Sequence, residues 1–131
     1  MTRLSPHEIA YVAKAAGFSD DELIFAVAVA LAESGGDTDV LGRSGTGANL
    51  GQRDHGLWQI SGKWHGDKLQ VTPNWRNPYV NGRMARQIFV DAGRQWTPWH
   101  VFTSGAYQTY LPDAEVGARW PFKPATLADR L

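Results

Sequence analysis

The chain has 131 residues, of which 43% are hydrophobic and 20% charged, the balance of a globular chain with one buried core. Its 13 Lys and Arg match its 13 Asp and Glu, so bulk charge offers no hold on nucleic acid or an anionic membrane surface. With no cysteine in the sequence, disulfides and thiolate metal sites are excluded.

The first residues, Met1-Thr2-Arg3-Leu4-Ser5-Pro6, lack the basic-then-apolar pattern of a signal peptide. Ser5-Pro6-His7-Glu8 reads as a helix start, with Ser5 as N-cap, Pro6 at the first position and Glu8 completing a capping box. Ile9, Val12, Ala13 and Ala16 follow at helical spacing, and Gly17 suits the stop. Ser19-Asp20-Asp21-Glu22 reads as a second capping box. The run from Leu23 to Ala32 is apolar on every face, so it belongs in the middle of a domain. It is too short to span a membrane, which takes about 20 apolar residues.

That helix ends at Glu33-Ser34-Gly35-Gly36, and residues 37–54 read as a long loop or irregular β hairpin rich in Gly, Ser, Thr, Asn and Asp. Leu57 to Ile60 fits either a short strand or a helical turn. Asn77-Pro78 opens a third helix with Met84, Ile88 and Ala92 on one stripe and Gly93 closing it. Thr97-Pro98 opens a fourth, through Val101, Phe102 and Ala106. After Pro112 an irregular arm is expected, with a last turn near Leu127. The sum is a mainly α (α+β) domain spanning 1–131, a helical body with a small loop-rich or β insertion forming a cleft.

Glu33 stands out chemically. Ten apolar residues precede it, and burial raises a carboxyl pKa by disfavouring the charged form. The negative end of the helix dipole acts in the same direction. A carboxyl kept protonated near neutral pH is suited to protonating a leaving oxygen.

Ala30-Leu31-Ala32-Glu33-Ser34-Gly35-Gly36 resembles the Glu-Ser motif of the soluble lytic transglycosylase and goose-type lysozyme group. Gly56-Leu57-Trp58-Gln59-Ile60 is similar to that group's Gly-Leu-Met-Gln motif, with Trp for Met. Gly105-Ala106-Tyr107-Gln108 stands where the group has Ala-Tyr-Asn, with Gln for Asn, so Gln108 takes no role. The stretch from Asn77-Pro78 to Trp96-Thr97-Pro98-Trp99 resembles lysozyme-like modules of actinobacteria and their phages, carried on tail or lysis proteins. The resemblance covers residues 5–111. It implies the lysozyme-like fold, a peptidoglycan glycan strand as partner and cleavage of the MurNAc–GlcNAc β-1,4 bond. It makes Glu33 the catalytic acid, with Ser34, Gln59 and Tyr107 beside the acid or the sugar. No cofactor is implied, and other virion or lysis proteins are possible partners. Action at the cell wall would follow carriage on a virion or release by a lysis system.

A lysozyme commonly uses a second carboxylate, and Asp54 is better placed for it than Asp37 or Asp39. A lytic transglycosylase needs only one acid, and the reading leans to that. Trp58 and Trp64, near the Gln motif, are the candidates for stacking on sugars, whereas Trp96 and Trp99 read as core. Residues 37–48 lack the ligands of a calcium loop, His7, His55, His65 and His100 have no metal-ligand spacing, and the glycine-rich residues 42–47 lack the Lys-Ser/Thr of a phosphate cradle. Two rivals to an enzyme are a non-catalytic wall-binding module of a phage tail, against which Glu33 argues, and a helix-turn-helix DNA binder, against which zero net charge argues.

Overall fold

A computed structural model describes residues 2–42, 53–71 and 73–124. Helix α1 runs Pro6–Ala16 and starts as its sequence dictates. Ser5 Oγ accepts from Glu8 N at 3.2 Å, Glu8 Oε1 accepts from Ser5 N at 3.0 Å, and Gly17 closes the helix with φ 113°. Helix α2, Asp20–Ser34, is the centre of the body. Ala26, Val27, Ala28, Val29 and Ala30 are all 0% exposed, which explains why no face of this helix is polar. Each of its buried valines contributes about 1.5–3 kcal/mol by leaving water. Helices α1, α2 and α6 (Leu111–Arg119) pack on one another, and α4 (Pro78–Asp91) packs on α1.

Between α2 and α4 lies the small lobe. Strands β1 (Leu41–Gly42), β2 (Asp54–His55) and β3 (Ile60–Ser61) form an antiparallel sheet in that order. The register pairs Gly42 with Asp54 and Asp54 with Ser61. Helix α3 (Gly62–Val71) follows at once and breaks helical geometry at His65, where φ is −131°.

Asn81, 0% exposed, ties this lobe to the body. Its Oδ1 accepts from Trp58 N at 2.8 Å, and its Nδ2 donates to His55 O at 2.9 Å and Trp75 O at 3.2 Å. Trp58 Nε1 in turn donates to Ala26 O on α2 at 2.9 Å. Gly56 fits here with φ 78°, because a Cβ would stand 2.5 Å from Asn81 Nδ2.

Three expectations change. Ser19 caps α2 without a side-chain bond, and the Glu22 carboxylate pairs with Arg94 at 2.6 Å. The helix expected from Thr97 is the short α5, His100–Thr103, followed by a 3-10 helix over Ala106–Tyr110. The expected irregular arm contains α6, since Pro112 sits in its first turn, where a missing N–H costs nothing. Helix α3 carried no recognisable apolar stripe in sequence. The last turn near Leu127, the phosphate-cradle candidate after Gly42 and the end of the calcium-loop candidate lie outside the described residues.

Candidate active site

Glu33 is the penultimate residue of α2. The helix ends on Gly35, φ 64°, whose N–H bonds Leu31 O. Ser34 Oγ donates to Ala30 O at 2.9 Å and accepts from Gly36 N at 3.2 Å. The exit is then fastened to the N-terminal segment: Arg3 Nη1 donates to Gly35 O at 2.7 Å, and Leu4 N to Gly36 O at 2.9 Å. A helix end held on both sides gives Glu33 a fixed origin.

The carboxyl opens into a cleft of about 300 Å³. The small sheet and the turn within it contribute Asp54, Gln59 and Ser61, and α3 contributes Trp64 and His65. The opposite wall carries Ile88, Pro98, Trp99 and His100. Among the described residues no Lys or Arg lines it. Burial raises the Glu33 pKa from 4.5 to about 7, and the negative charge of Asp54 adds to the rise. A half-buried acid beside a second carboxylate, in a groove open to solvent, can deliver a proton at neutral pH.

The family model described as Lysozyme like domain matches residues 10–101. The chain belongs to this lysozyme-like family. No curated protein and no solved structure matches it. The mainly helical body with its three-stranded sheet is the fold that the resemblance implied. The family points to peptidoglycan at the cell wall as the substrate and to glycosidase chemistry in general. Among the described residues no helix is long and apolar enough to cross a membrane.

The lysozyme-like domain brings Glu33, Asp54, Gln59 and Trp64 to one cleft. Trp64 is 73% exposed on its lip. Trp58 is corrected: at 0% exposure, with its indole N–H bonded to α2, it is a core residue and offers no face to a sugar. Tyr107 is not among the described residues lining the cleft. Its ring stacks on Phe102 at 4.7 Å and meets Phe25 of α2 edge-on at 5.8 Å, so it braces α2 from outside. Ser34 is likewise occupied by the backbone at the helix end and does not line the cleft. Trp96 and Trp99, each 4% exposed, are core as expected, but Trp99 also forms part of the cleft wall while donating to Trp58 O at 2.8 Å.

Sequence reasoning missed Asn81, Ser61 and His100. A polar Asn81 one turn before the apolar stripe of α4 was the one readable signal. Ser61 pairs with Asp54 and accepts from Trp64 N at 3.3 Å, so it starts α3 and orients its first turn. Only folding brings His65 and His100, 35 positions apart, to the same groove.

Proposed function

We propose that residues 1–131 form one lysozyme-like unit that cleaves the MurNAc–GlcNAc β-1,4 bond of peptidoglycan, with Glu33 as catalytic acid. The observation that carries this is the Glu33 carboxyl, with a pKa of about 7, in a cleft walled by Asp54, Gln59 and Trp99. Near pH 7 about half of the molecules hold the proton. Glu33 passes it to the bridging oxygen as the C1–O bond breaks, and the departing sugar leaves with a hydroxyl. In the single-acid course, the ionised Glu33 then takes the proton of the sugar's own 6-hydroxyl as that oxygen bonds C1, leaving a 1,6-anhydro end. Trp64 on the lip supplies an aromatic face for a sugar ring.

A second course is favoured by Asp54, which shares the cleft and acts on Glu33 electrostatically. There Asp54 would activate a water to attack C1, giving a reducing end. The resemblance of residues 77–99 to actinobacterial and phage modules supports delivery to the wall on a virion or by a lysis system.

Turbidity clearing of actinobacterial walls, followed by mass spectrometry of the products, tests this reading. The wild type is expected to clear the walls and Glu33→Gln to leave them turbid. A 1,6-anhydro terminus identifies the single-acid course and a reducing terminus the water course. Wall binding without clearing by the wild type would make the domain a non-catalytic binding module instead.

A further inference from the structure

Gln59 sits at an unusual point of the backbone. Its φ is +50°, a left-handed value that a non-glycine residue adopts only where its surroundings hold it there. It is 8% exposed although it belongs to the cleft wall. Its Nε2 donates to Val40 O at 3.1 Å and to Gly56 O at 2.9 Å, which uses both amide protons. Gly56 N also donates to Val40 O, at 3.0 Å. The side chain therefore spans the sheet from the residue before β1 to the turn between β2 and β3.

The far end of the amide is seated as firmly. A Cβ at Gly42 would run into Gln59 Oε1, and it would stand 3.7 Å from Asp54 Cβ. The Gly42 backbone has no left-handed φ, so the Gln59 oxygen is what a side chain at this position would meet first. Gly42 is also the register partner of Asp54.

We infer that Gln59, seated against Gly42, is a positioning residue that latches the small sheet and so sets where Asp54 stands relative to Glu33. The inference rests on Glu33 being the catalytic acid. It departs from a sugar contact as the main task of Gln59, since the amide protons that would hold a sugar hydroxyl are already engaged. The groups that face Glu33 across the cleft are Asp54 from β2, His65 from α3 and His100 from α5. Of these, Asp54 is the one the latch controls.

The test compares Gln59→Asn, Gly42→Ala and the double variant. Asn suits a left-handed φ but is one methylene too short to reach both carbonyls. Ala at position 42 leaves Gln59 intact and displaces its amide. The first measurement is a carbon NMR titration of Glu33 without substrate. The midpoint is expected to fall below the wild-type value in all three proteins, as Asp54 swings away. The second is kcat and KM on wall glycan. A loss of kcat on the order of tenfold is expected, with KM little changed, since a misplaced group costs rate rather than binding. The double variant is expected to be no worse than either single one, because both open the same latch. Additive losses, or a raised KM with the Glu33 midpoint unmoved in both single variants, would overturn the inference. If the wild type clears no walls, the enzymatic reading fails, but the titration still decides the latch.

Discussion

Replacing Glu33 by Gln should make the domain more stable at high pH, although it removes the proposed catalytic acid. The folded carboxyl titrates at about 7 against an ordinary 4.5. Below 4.5 the folded and unfolded chains both carry the proton, so ionisation contributes nothing to the difference. Between 4.5 and about 7 the folded protein keeps a proton that the unfolded chain has released, so stability falls as pH rises. Above about 7 both are ionised and the full penalty remains. At about 1.4 kcal/mol per pH unit the gap corresponds to about 3 kcal/mol. Water in the cleft screens a half-buried side chain, which reduces this to about 2 kcal/mol. Gln is a neutral isostere of the protonated acid and carries no such penalty. Urea unfolding of both proteins at about pH 4 and about pH 8.5 reads the difference. The variant is expected to gain about 2 kcal/mol on the wild type between those two conditions. An unchanging gap would mean that Glu33 titrates like an exposed carboxyl, and the apolar environment would no longer explain its chemistry.

Asp54→Asn removes the smaller of the two causes that raise the Glu33 pKa, so the alkaline limb of the pH–activity profile should move to lower pH while staying above that of an ordinary Glu; an unmoved limb would dissociate the two carboxylates. Asn81→Ala leaves Trp58 N–H, His55 O and Trp75 O without their partner, at about 1–3 kcal/mol each. A total loss of about 3–5 kcal/mol is expected in urea unfolding, and a loss below about 1 kcal/mol would contradict the role given to Asn81. Trp64→Ala should leave stability within about 0.5 kcal/mol because the ring is mostly exposed. The same variant should raise KM for glycan about fivefold, the worth of one stacked ring; an unchanged KM would remove Trp64 from the sugar site.

Several features were legible in the sequence because they depend on neighbours along the chain. The Ser5 capping box, the Gly17 stop, the Asn77-Pro78 start and the all-apolar α2 are local patterns, and each reappears where it was read. Glu33 was readable for the same reason: a charged group at the end of ten apolar residues is anomalous before any fold is known. The reading failed where the partner is distant. Glu22 fits a capping box by spacing, yet it pairs with Arg94, 72 positions away. Trp58 sits in a motif beside a cleft residue, yet its ring turns inward to α2.

The sequence by itself therefore settled where α1, α2 and α4 form, which of them is innermost and which carboxyl is abnormal, because hydrophobic periodicity and end-capping are written within a few residues. Which aromatic rings line the cleft, and which of the candidate side chains share it with Glu33, was decided by the tertiary structure. Those choices depend on bonds such as Asn81 to His55 and Gln59 to Val40, whose partners meet only after the small sheet has folded against the helices.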